Sequence, residues 1–288
     1  MPKLADFKTT EKSWWCPGCG DFGVLAALQK ALVDLGVEPH NVAIVAGIGC
    51  SGKIGNYINC YNFHVVHGRT LPTAMGLKLV NRDLTVIAAG GDGDGYAIGG
   101  NHFLHAIRRN VDITYIVMDN QIYGLTKGQV SPTSAVGFKT RSTPEGNIER
   151  PVRPLQLAIA AGATYVASGF SSDVRQLSRL IAEGIQHKGF ALINVYSPCV
   201  TFNRVNTYDW YKEVLLNLDE DEAYDPTDRG KALQLLIDTD ERVRGLVYKA
   251  PDQPSFQDLF PGYREEPIVH QDWTIPEEDF AQLLEQYR

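Results

Sequence analysis

Cysteines are the residues whose type and spacing point most clearly to chemistry. Cys16 and Cys19 form a close pair in W-W-C-P-G-C-G-D-F-G, whereas Cys50, Cys60 and Cys199 stand alone at wide intervals. The number of cysteines is odd, and the first residues, M-P-K-L-A-D-F-K-T-T, lack the apolar core of a signal peptide. We therefore expect metal binding or redox chemistry rather than a framework of disulfides.

A second group of chemically active residues follows the apolar segment T-V-I-A-A-G at 85–90. The turn G-G-D-G-D-G places Asp92 and Asp94 between this predicted strand and a predicted helix. The N-terminus of a helix attracts phosphate, but bare carboxylates repel it unless a cation intervenes. Mg²⁺ prefers oxygen ligands that it shares with phosphates, and Asn120 supplies such an oxygen after the next apolar segment. The pattern predicts a magnesium and phosphate site, with a simple helix cap as the alternative.

Apolar segments that alternate with helical patterns predict the elements that must position these residues. The sequence indicates helices at 21–36, from Pro72 onward and near 97–109, and strands at 42–47, 85–90, 112–120, 163–167 and 190–196. This alternation is typical of the α/β class, with a doubly wound, mostly parallel sheet. After Asn203 the pattern becomes acidic and then polar, so we place a domain boundary there.

The strand order along the chain predicts that four cysteines meet at one edge of the sheet. Cys16 and Cys19 precede the first helix, Cys50 follows the strand at 42–47, and Cys199 follows the strand at 190–196. All these positions belong to the carboxyl edge, where Asp92 and Asn120 are also expected. Spacing alone leaves a [4Fe–4S] cluster, a zinc site and a redox dithiol open, although one pair with two remote cysteines favours the cluster. Cys60 lies off this edge, and we expect a buried, inert thiol.

Composition narrows the class of protein. Hydrophobic residues make up 44% and charged residues 21%, which is ordinary for a soluble globular protein. The net charge of −7 argues against nucleic-acid binding, and no apolar run approaches the length of a membrane helix. A cytoplasmic protein is expected.

Five segments, in order between about residues 13 and 203, resemble the β subunit of 2-oxoacid:ferredoxin oxidoreductases. They are W-C-P-G-C-G-D-F-G, G-I-G-C-S-G-K, H-G-R-T-L-P-T-A-M-G-L-K, G-D-G-D-G-Y-A-I-G-G-N-H-F and M-D-N-Q-I-Y-G-L-T-K-G-Q. In addition, G-D-G followed after 26 residues by Asn resembles the diphosphate-binding motif of thiamine diphosphate enzymes. The resemblance implies that a 2-oxoacid is oxidatively decarboxylated with coenzyme A as co-substrate. Electrons would leave singly through one [4Fe–4S] cluster to ferredoxin.

The resemblance also implies roles for individual residues. The cluster would be held by Cys16, Cys19, Cys50 and Cys199, and Mg²⁺ by Asp92, Asn120 and the carbonyl of Ile122. The thiamine diphosphate cofactor would be bound by Cys50, Ser51, Gly52, His67, Gly91, Asp92, Gly93, Asp94, Asn120, Tyr123, Gly124, Leu125 and Thr126. The nearby S-P-T-S segment, residues 131–134, predicts ordinary turn chemistry.

Two residues are candidates for catalytic roles. His67, in H-G-R, resembles the family histidine near the diphosphate, with a hydrogen-bonded core histidine as the alternative. The ammonium of Lys53 can pair with the distal carboxylate of 2-oxoglutarate, which pyruvate lacks; a solvated or cofactor-facing lysine is the alternative. We therefore expect 2-oxoglutarate as the substrate, with pyruvate or broad specificity left open.

The predicted strands suffice for only one of the two α/β domains that a thiamine diphosphate site takes. The resemblance implies an α subunit that supplies the activating glutamate and the coenzyme A site, in a dimer of αβ pairs. Residues 1–203 would form the cofactor domain, and 204–288 an extension that packs on the partner. A zinc-stabilised nucleotide-binding regulatory module and a non-redox thiamine diphosphate decarboxylase are the rival hypotheses.

Overall fold

The computed structural model describes residues 1–260 and 266–287. Within that part of the chain, eight strands form one sheet: β1 (Val42–Ala46), β2 (Tyr61–His64), β3 (Thr85–Gly91), β4 (Ile113–Asp119), β5 (Tyr165–Phe170), β6 (Phe190–Tyr196), β7 (Leu216–Asn217) and β8 (Val243–Lys249). The helices are α1 (Asp21–Asp34), α2 (Thr70–Val80), α3 (Gly100–Arg109), α4 (Pro154–Ala160), α5 (Val174–Gln186), α6 (Tyr208–Val214), α7 (Arg229–Asp238), α8 (Phe256–Leu259) and α9 (Glu277–Glu285). None of these helices combines the length and hydropathy needed to cross a bilayer.

The sheet is doubly wound and mostly parallel, as the sequence predicts. Its strand order is β2-β1-β3-β4-β6-β5-β8-β7, and only the pairing of β5 with β8 is antiparallel. All seven residues of β4 and of β6 are buried, which explains their uninterrupted apolar sequences. One hydrophobic core covers a face of the sheet with α1 and α5, and a second core covers the other face with α2, α3, α4 and α7.

Three strands lie outside the sequence-based expectation, each for a physical reason. Every residue of β2, Y-N-F-H, is exposed at the sheet edge, so no apolar run marks it. β7 has only two residues, and Arg244 and Gly245 interrupt the apolar pattern of β8. Residues 243–249, which the sequence places in the C-terminal extension, thus add a strand to the sheet.

Glu241 is a buried carboxylate away from the predicted site, and it gives a testable pH dependence. Its side chain is 3% exposed, and Oε1 accepts a hydrogen bond of 2.7 Å from the backbone N–H of Gln156. Burial raises the pKa of Glu241 from 4.5 to about 7. The folded chain therefore holds this proton more tightly than the unfolded chain, and the free energy of unfolding falls as pH rises from about 4.5 to about 7.

We expect Glu241→Gln to remove this loss of stability. Between pH 4.5 and pH 7.5, the wild type should lose on the order of 3 kcal/mol relative to the variant. Urea unfolding at several pH values measures the difference. Glu145→Gln, at an exposed position, is the matched control and should follow the wild type. Parallel profiles for Glu241→Gln and the wild type would contradict the prediction.

Candidate functional site

A cavity of about 130 Å³ lies at the carboxyl edge of β1, β3 and β4. Its walls contain nearly all the residues predicted to bind the cofactor: Cys50, Ser51, His67, Gly91, Asp92, Gly93, Asp94, Asn120, Ile122, Tyr123, Gly124, Leu125 and Thr126, together with Ile48 and Gly49. A larger cavity of about 230 Å³ has Asp119 and Thr133 in its wall, and its described lining shares no residue with the first. The smaller cavity is therefore the one that gathers the predicted chemistry.

Three oxygen donors at this cavity suit a magnesium ion. Asp92, directly after β3, is 2% exposed, and Asn120, directly after β4, is 9% exposed. Gln121 adopts a φ of 57°, a left-handed turn that lets the Ile122 N–H donate to Oδ1 of Asn120 at 3.0 Å. Asn203 donates to the Asn120 carbonyl at 3.0 Å and fixes the turn from behind. A carboxylate, an amide oxygen and a nearby backbone carbonyl form the hard donor set that Mg²⁺ takes.

Glycine at position 93 makes room for an aromatic ring beside the cavity. A Cβ atom on Gly93 would lie 2.1 Å from the ring of Tyr123, which no side chain can tolerate. The Tyr123 hydroxyl donates to the Gly93 carbonyl at 3.3 Å. The ring therefore packs directly on the backbone of the glycine turn, and Leu125, 51% exposed, extends the same loop over the cavity.

Asp94 orients His67 within the cavity wall. The carboxylate is 2% exposed and accepts from the backbone N–H groups of Ile48 and Gly68, both at 2.9 Å, and from the Thr70 hydroxyl at 3.0 Å. Nδ1 of His67 lies 2.7 Å from the same oxygen that accepts the two backbone bonds, so this ring nitrogen is the donor. Nε2 of His67 is left for other partners. Asp94 thus acts on the cavity by holding its loops and its histidine.

The four cysteines predicted to converge do lie in one neighbourhood. Burial raises the pKa of Cys19, and the nearby Asp21, Cys199 and Cys50 raise it further. Burial, followed by Asp21, Cys199 and Cys16, raises the pKa of Cys50 to about 11. Each thiol is therefore within electrostatic range of others in the group. As they stand, no three His, Cys, Asp or Glu side chains of residues 1–260 and 266–287 are arranged to hold a single metal ion.

Gly124 lies between the cysteine group and the cavity. A Cβ atom at this position would lie 3.6 Å from Sγ of Cys199 and 3.7 Å from Sγ of Cys50. Gly124 and Cys50 also belong to the cavity wall. The thiols and the oxygen donors therefore occupy adjoining spaces, with glycine backbone between them.

Hydrogen bonds fasten the segments that carry the cysteines. The indole N–H of Trp15 donates to the Cys50 carbonyl at 2.7 Å, and the Gly20 N–H donates to the Pro198 carbonyl at 3.1 Å. Trp15 is buried against Phe22 and Tyr57. The loop before α1 is thus bound both to the end of β1 and to the end of β6.

Three of the singled-out residues lie away from the cavity wall. Lys53 and Gly52 belong to the 3₁₀ turn Ser51–Tyr57, and neither is among the residues that line the cavity. Lys53 is half-buried and makes no ion pair with any described residue. The thiol of Cys60 contacts the Tyr61 carbonyl at the β2 edge, and burial raises its pKa to about 12. The expected inert thiol fits this environment.

Two family models match this chain. Residues 47–195 match the family model for the C-terminal TPP binding domain of thiamine pyrophosphate enzymes. Residues 199–265 match the model for the C-terminal part of the pyruvate ferredoxin oxidoreductase beta subunit. Subunit beta of 2-oxoacid:ferredoxin oxidoreductase 2 from Aeropyrum pernix is 42% identical over 91% of this chain and 89% of its own length. The chain is a β subunit of the 2-oxoacid:ferredoxin oxidoreductase family.

Other relatives of this β subunit carry more specific names. The 2-oxoglutarate synthase subunit KorB of Archaeoglobus fulgidus is 40% identical, over 87% of this chain and 98% of its own. The solved 2-oxoglutarate:ferredoxin oxidoreductase from Magnetococcus marinus, with 2-oxoglutarate, coenzyme A and succinyl-CoA bound, contains a chain with a TM-score of 0.89 and 37% identity. That match covers 98% of this chain and 96% of the other. The predicted family, oxidoreductase class, thiamine diphosphate-binding domain and α/β fold are confirmed.

Sequence reasoning missed polar residues that touch the site of this β subunit. The hydroxyl of Thr133 lies 2.7 Å from Oδ2 of Asp92, although its segment predicts only a turn. Asp21, 1% exposed, accepts from the Ser197 hydroxyl at 2.6 Å, and burial raises its pKa to about 6. Burial and the charge of Asp92 raise the pKa of Asp119. Asp21 is marked in the sequence only by its place beside a glycine-rich turn, and Asp119 only by its place at the end of a predicted strand.

Gly52 is where the structure predicts the largest steric cost near the site. A Cβ atom there would lie 1.8 Å from the Gly47 carbonyl oxygen, which is rigid backbone. We expect Gly52→Ala to destabilise the chain by about 1–3 kcal/mol and to lower Tm by several degrees. Thermal unfolding checks this, with Gly76→Ala in α2 as control, because within the described residues a Cβ atom there meets nothing within 4 Å apart from its chain neighbours and the backbone of its own helix. Equal melting temperatures for Gly52→Ala and the wild type would show that the turn opens freely.

Proposed function

We propose that this β subunit works with an α subunit in the coenzyme A-dependent oxidative decarboxylation of a 2-oxoacid, with ferredoxin as electron acceptor. The observation that carries the proposal is the junction at Gly124, where the cysteine group adjoins the cavity with the oxygen donors. A thiamine diphosphate decarboxylase without electron transfer would have no use for four thiols at this place. Membership of the oxidoreductase family supports the same conclusion.

The donor set supports a magnesium-bound thiamine diphosphate. Asp92, Asn120 and the Ile122 carbonyl would hold Mg²⁺, and Mg²⁺ would hold the diphosphate beside the glycine turn. When bound, thiamine diphosphate supplies the electron sink needed for loss of CO₂ from a 2-oxoacid. The contribution of this chain is to hold the metal ligands, to orient His67 through Asp94, and to cover the site with Tyr123, Leu125 and Thr126.

The cysteine group supports a [4Fe–4S] cluster held by Cys16, Cys19, Cys50 and Cys199. Such a cluster accepts electrons one at a time, which a zinc ion cannot do. Cys16 is exposed, whereas Cys50 borders the cavity. The cluster would therefore have one side toward the reaction and one side toward solvent, where ferredoxin can approach.

We propose 2-oxoglutarate as the substrate, with pyruvate as the alternative. The relative from Archaeoglobus fulgidus is named a 2-oxoglutarate synthase subunit, and the solved neighbour binds 2-oxoglutarate. Lys53 is the candidate for pairing with the distal carboxylate, since no described carboxylate already pairs with it. Lys53 is half-buried and follows Ser51, a residue of the cavity wall, by two positions in the same 3₁₀ turn.

Exposed apolar side chains near the C-terminus support contact with the α subunit. Phe280, Leu283 and Leu284 recur on one side of α9 and are 43–51% exposed, and Trp273 before the helix and Tyr287 after it are 66% and 87% exposed. A surface of this kind marks an interface rather than a solvated tail. The α subunit would also supply the activating glutamate and the coenzyme A site, in a dimer of αβ pairs.

The deciding experiment is the metal content of the anaerobically purified αβ complex. Expected are about four irons and four acid-labile sulfides per β chain, and an EPR signal after reduction. One zinc without sulfide would overturn the redox proposal and favour a zinc-stabilised binding module.

Ferredoxin reduction with 2-oxoglutarate and with pyruvate, each with coenzyme A, tests the substrate. Faster turnover of pyruvate would reverse the proposed preference.

A further inference from the structure

The S-P-T-S segment, residues 131–134, lies against the proposed magnesium ligand Asp92. The hydroxyl of Thr133 lies 2.7 Å from Oδ2 of Asp92 and 2.8 Å from Oδ1 of Asp119. Thr133 is 6% exposed, and the Ser131 hydroxyl stays within the segment, 3.4 Å from the Thr133 hydroxyl and 3.3 Å from that of Ser134. A turn that served only to reverse the chain would direct the Thr133 hydroxyl to its own backbone or to solvent.

The same segment is fixed to the loop that carries the other proposed ligands. The hydroxyl of Ser134 donates to the Gln121 carbonyl at 2.7 Å, between Asn120 and Ile122. From the other side, the Val152 N–H donates to the Pro132 carbonyl at 2.8 Å, and the Asn147 amide donates to the Ser134 carbonyl at 3.1 Å. The segment therefore joins the end of β3 to the end of β4, and it cannot shift without moving both.

Hydrogen bonding at one carboxylate oxygen constrains the other. A bond from Thr133 to Oδ2 limits rotation about the Cβ–Cγ bond of Asp92 and so sets the direction of Oδ1. Outer contacts of this kind commonly change metal affinity by roughly 10- to 100-fold, because they set the orientation of the ligand before the metal binds.

We propose that Thr133 is a positioning residue that holds the Asp92 carboxylate in the orientation that binds the divalent cation of the cofactor. The inference rests on the proposed function, since it takes Asp92 as a ligand of the diphosphate-bound metal. The hydrogen bonds of Ser134, Pro132 and Asn147 keep the turn, and with it the Thr133 hydroxyl, in place.

The test is the Mn²⁺ concentration that half-saturates the αβ complex in the presence of thiamine diphosphate, measured from the EPR signal of free Mn²⁺. Thr133→Val keeps the shape of the side chain and removes the hydroxyl, whereas Thr133→Ser keeps the hydroxyl. Thr140→Val is the matched control, because Thr140 lies in the same loop and, among the described residues, its hydroxyl bonds to Ser142 and Thr143 rather than to any carboxylate.

We expect Thr133→Val to raise the half-saturating concentration about tenfold, Thr133→Ser to stay within about threefold of the wild type, and Thr140→Val to match it. If Thr133→Val does not assemble, Thr133→Ala provides the same comparison without the branched side chain. Unchanged Mn²⁺ binding in an assembled variant that lacks the hydroxyl overturns the positioning role alone. A wild-type complex that takes up no Mn²⁺ with thiamine diphosphate overturns both this inference and the proposed function.

Discussion

Cys199→Ser should abolish ferredoxin reduction by the αβ complex. Cys199 follows β6, and a Cβ atom on Gly124 would lie 3.6 Å from its Sγ and 3.7 Å from Sγ of Cys50, so the Cys199 sulfur belongs to the group beside the cavity. Serine is close in size, but its hydroxyl does not replace a thiolate on iron. Substitutions around a metal ligand typically lower metal affinity or activity by roughly 10- to 100-fold. Loss of the ligand itself should lower activity by more than about 100-fold. Dye-linked or ferredoxin-linked assays under anaerobic conditions, with iron analysis, measure the effect.

Cys60→Ser is the matched control for this substitution. Its thiol is half-buried, contacts the Tyr61 carbonyl and is not part of the group at the carboxyl edge. Iron content and activity should stay at the wild-type level, and thiamine diphosphate binding should survive in both variants. A Cys199→Ser complex with full iron and full activity would remove Cys199 from the proposed ligand set, and the cluster would then need another fourth ligand.

Asp92→Asn should remove metal-dependent thiamine diphosphate binding. Among the three proposed ligands only Asp92 carries a charge, so the substitution leaves a neutral oxygen set facing a divalent cation and a diphosphate. Asparagine also places an amide N–H₂ group where an oxygen accepts from Thr133. Affinity for thiamine diphosphate at fixed Mg²⁺ should fall by about 100-fold or more, as measured by calorimetry, and turnover should fall with it.

Asp83→Asn is the control, since Asp83 is an exposed carboxylate before β3. It should bind thiamine diphosphate as the wild type does. The iron content of Asp92→Asn should remain normal, which separates this result from a general failure to assemble. Undiminished cofactor binding by Asp92→Asn would mean that the cation is held elsewhere.

The sequence predicted the fold and the site best where a local pattern of residues corresponds to a single element of the structure. Continuous apolar runs predict β4 and β6, and parallel topology then places Cys50, Cys199 and Asp92 at one edge. No such pattern marks the exposed edge strand β2 or the contact of Thr133 with Asp92, whose partners are 41 residues apart. Hydrogen bonds between distant segments depend on how loops pack, and hydrophobic periodicity predicts helices and strands but not loop packing.

The late position of β8 in the chain has a consequence for biosynthesis. β5 is complete at Phe170, but its outer neighbour β8 ends only at Lys249, roughly 80 residues later. At translation rates of about 5–20 residues per second, the open side of β5 waits about 4–16 seconds for its partner. An unpaired strand edge of this kind is a template for association between nascent chains on one polysome. A strand that contributes no ligand to the site therefore determines how long the growing chain is vulnerable to aggregation.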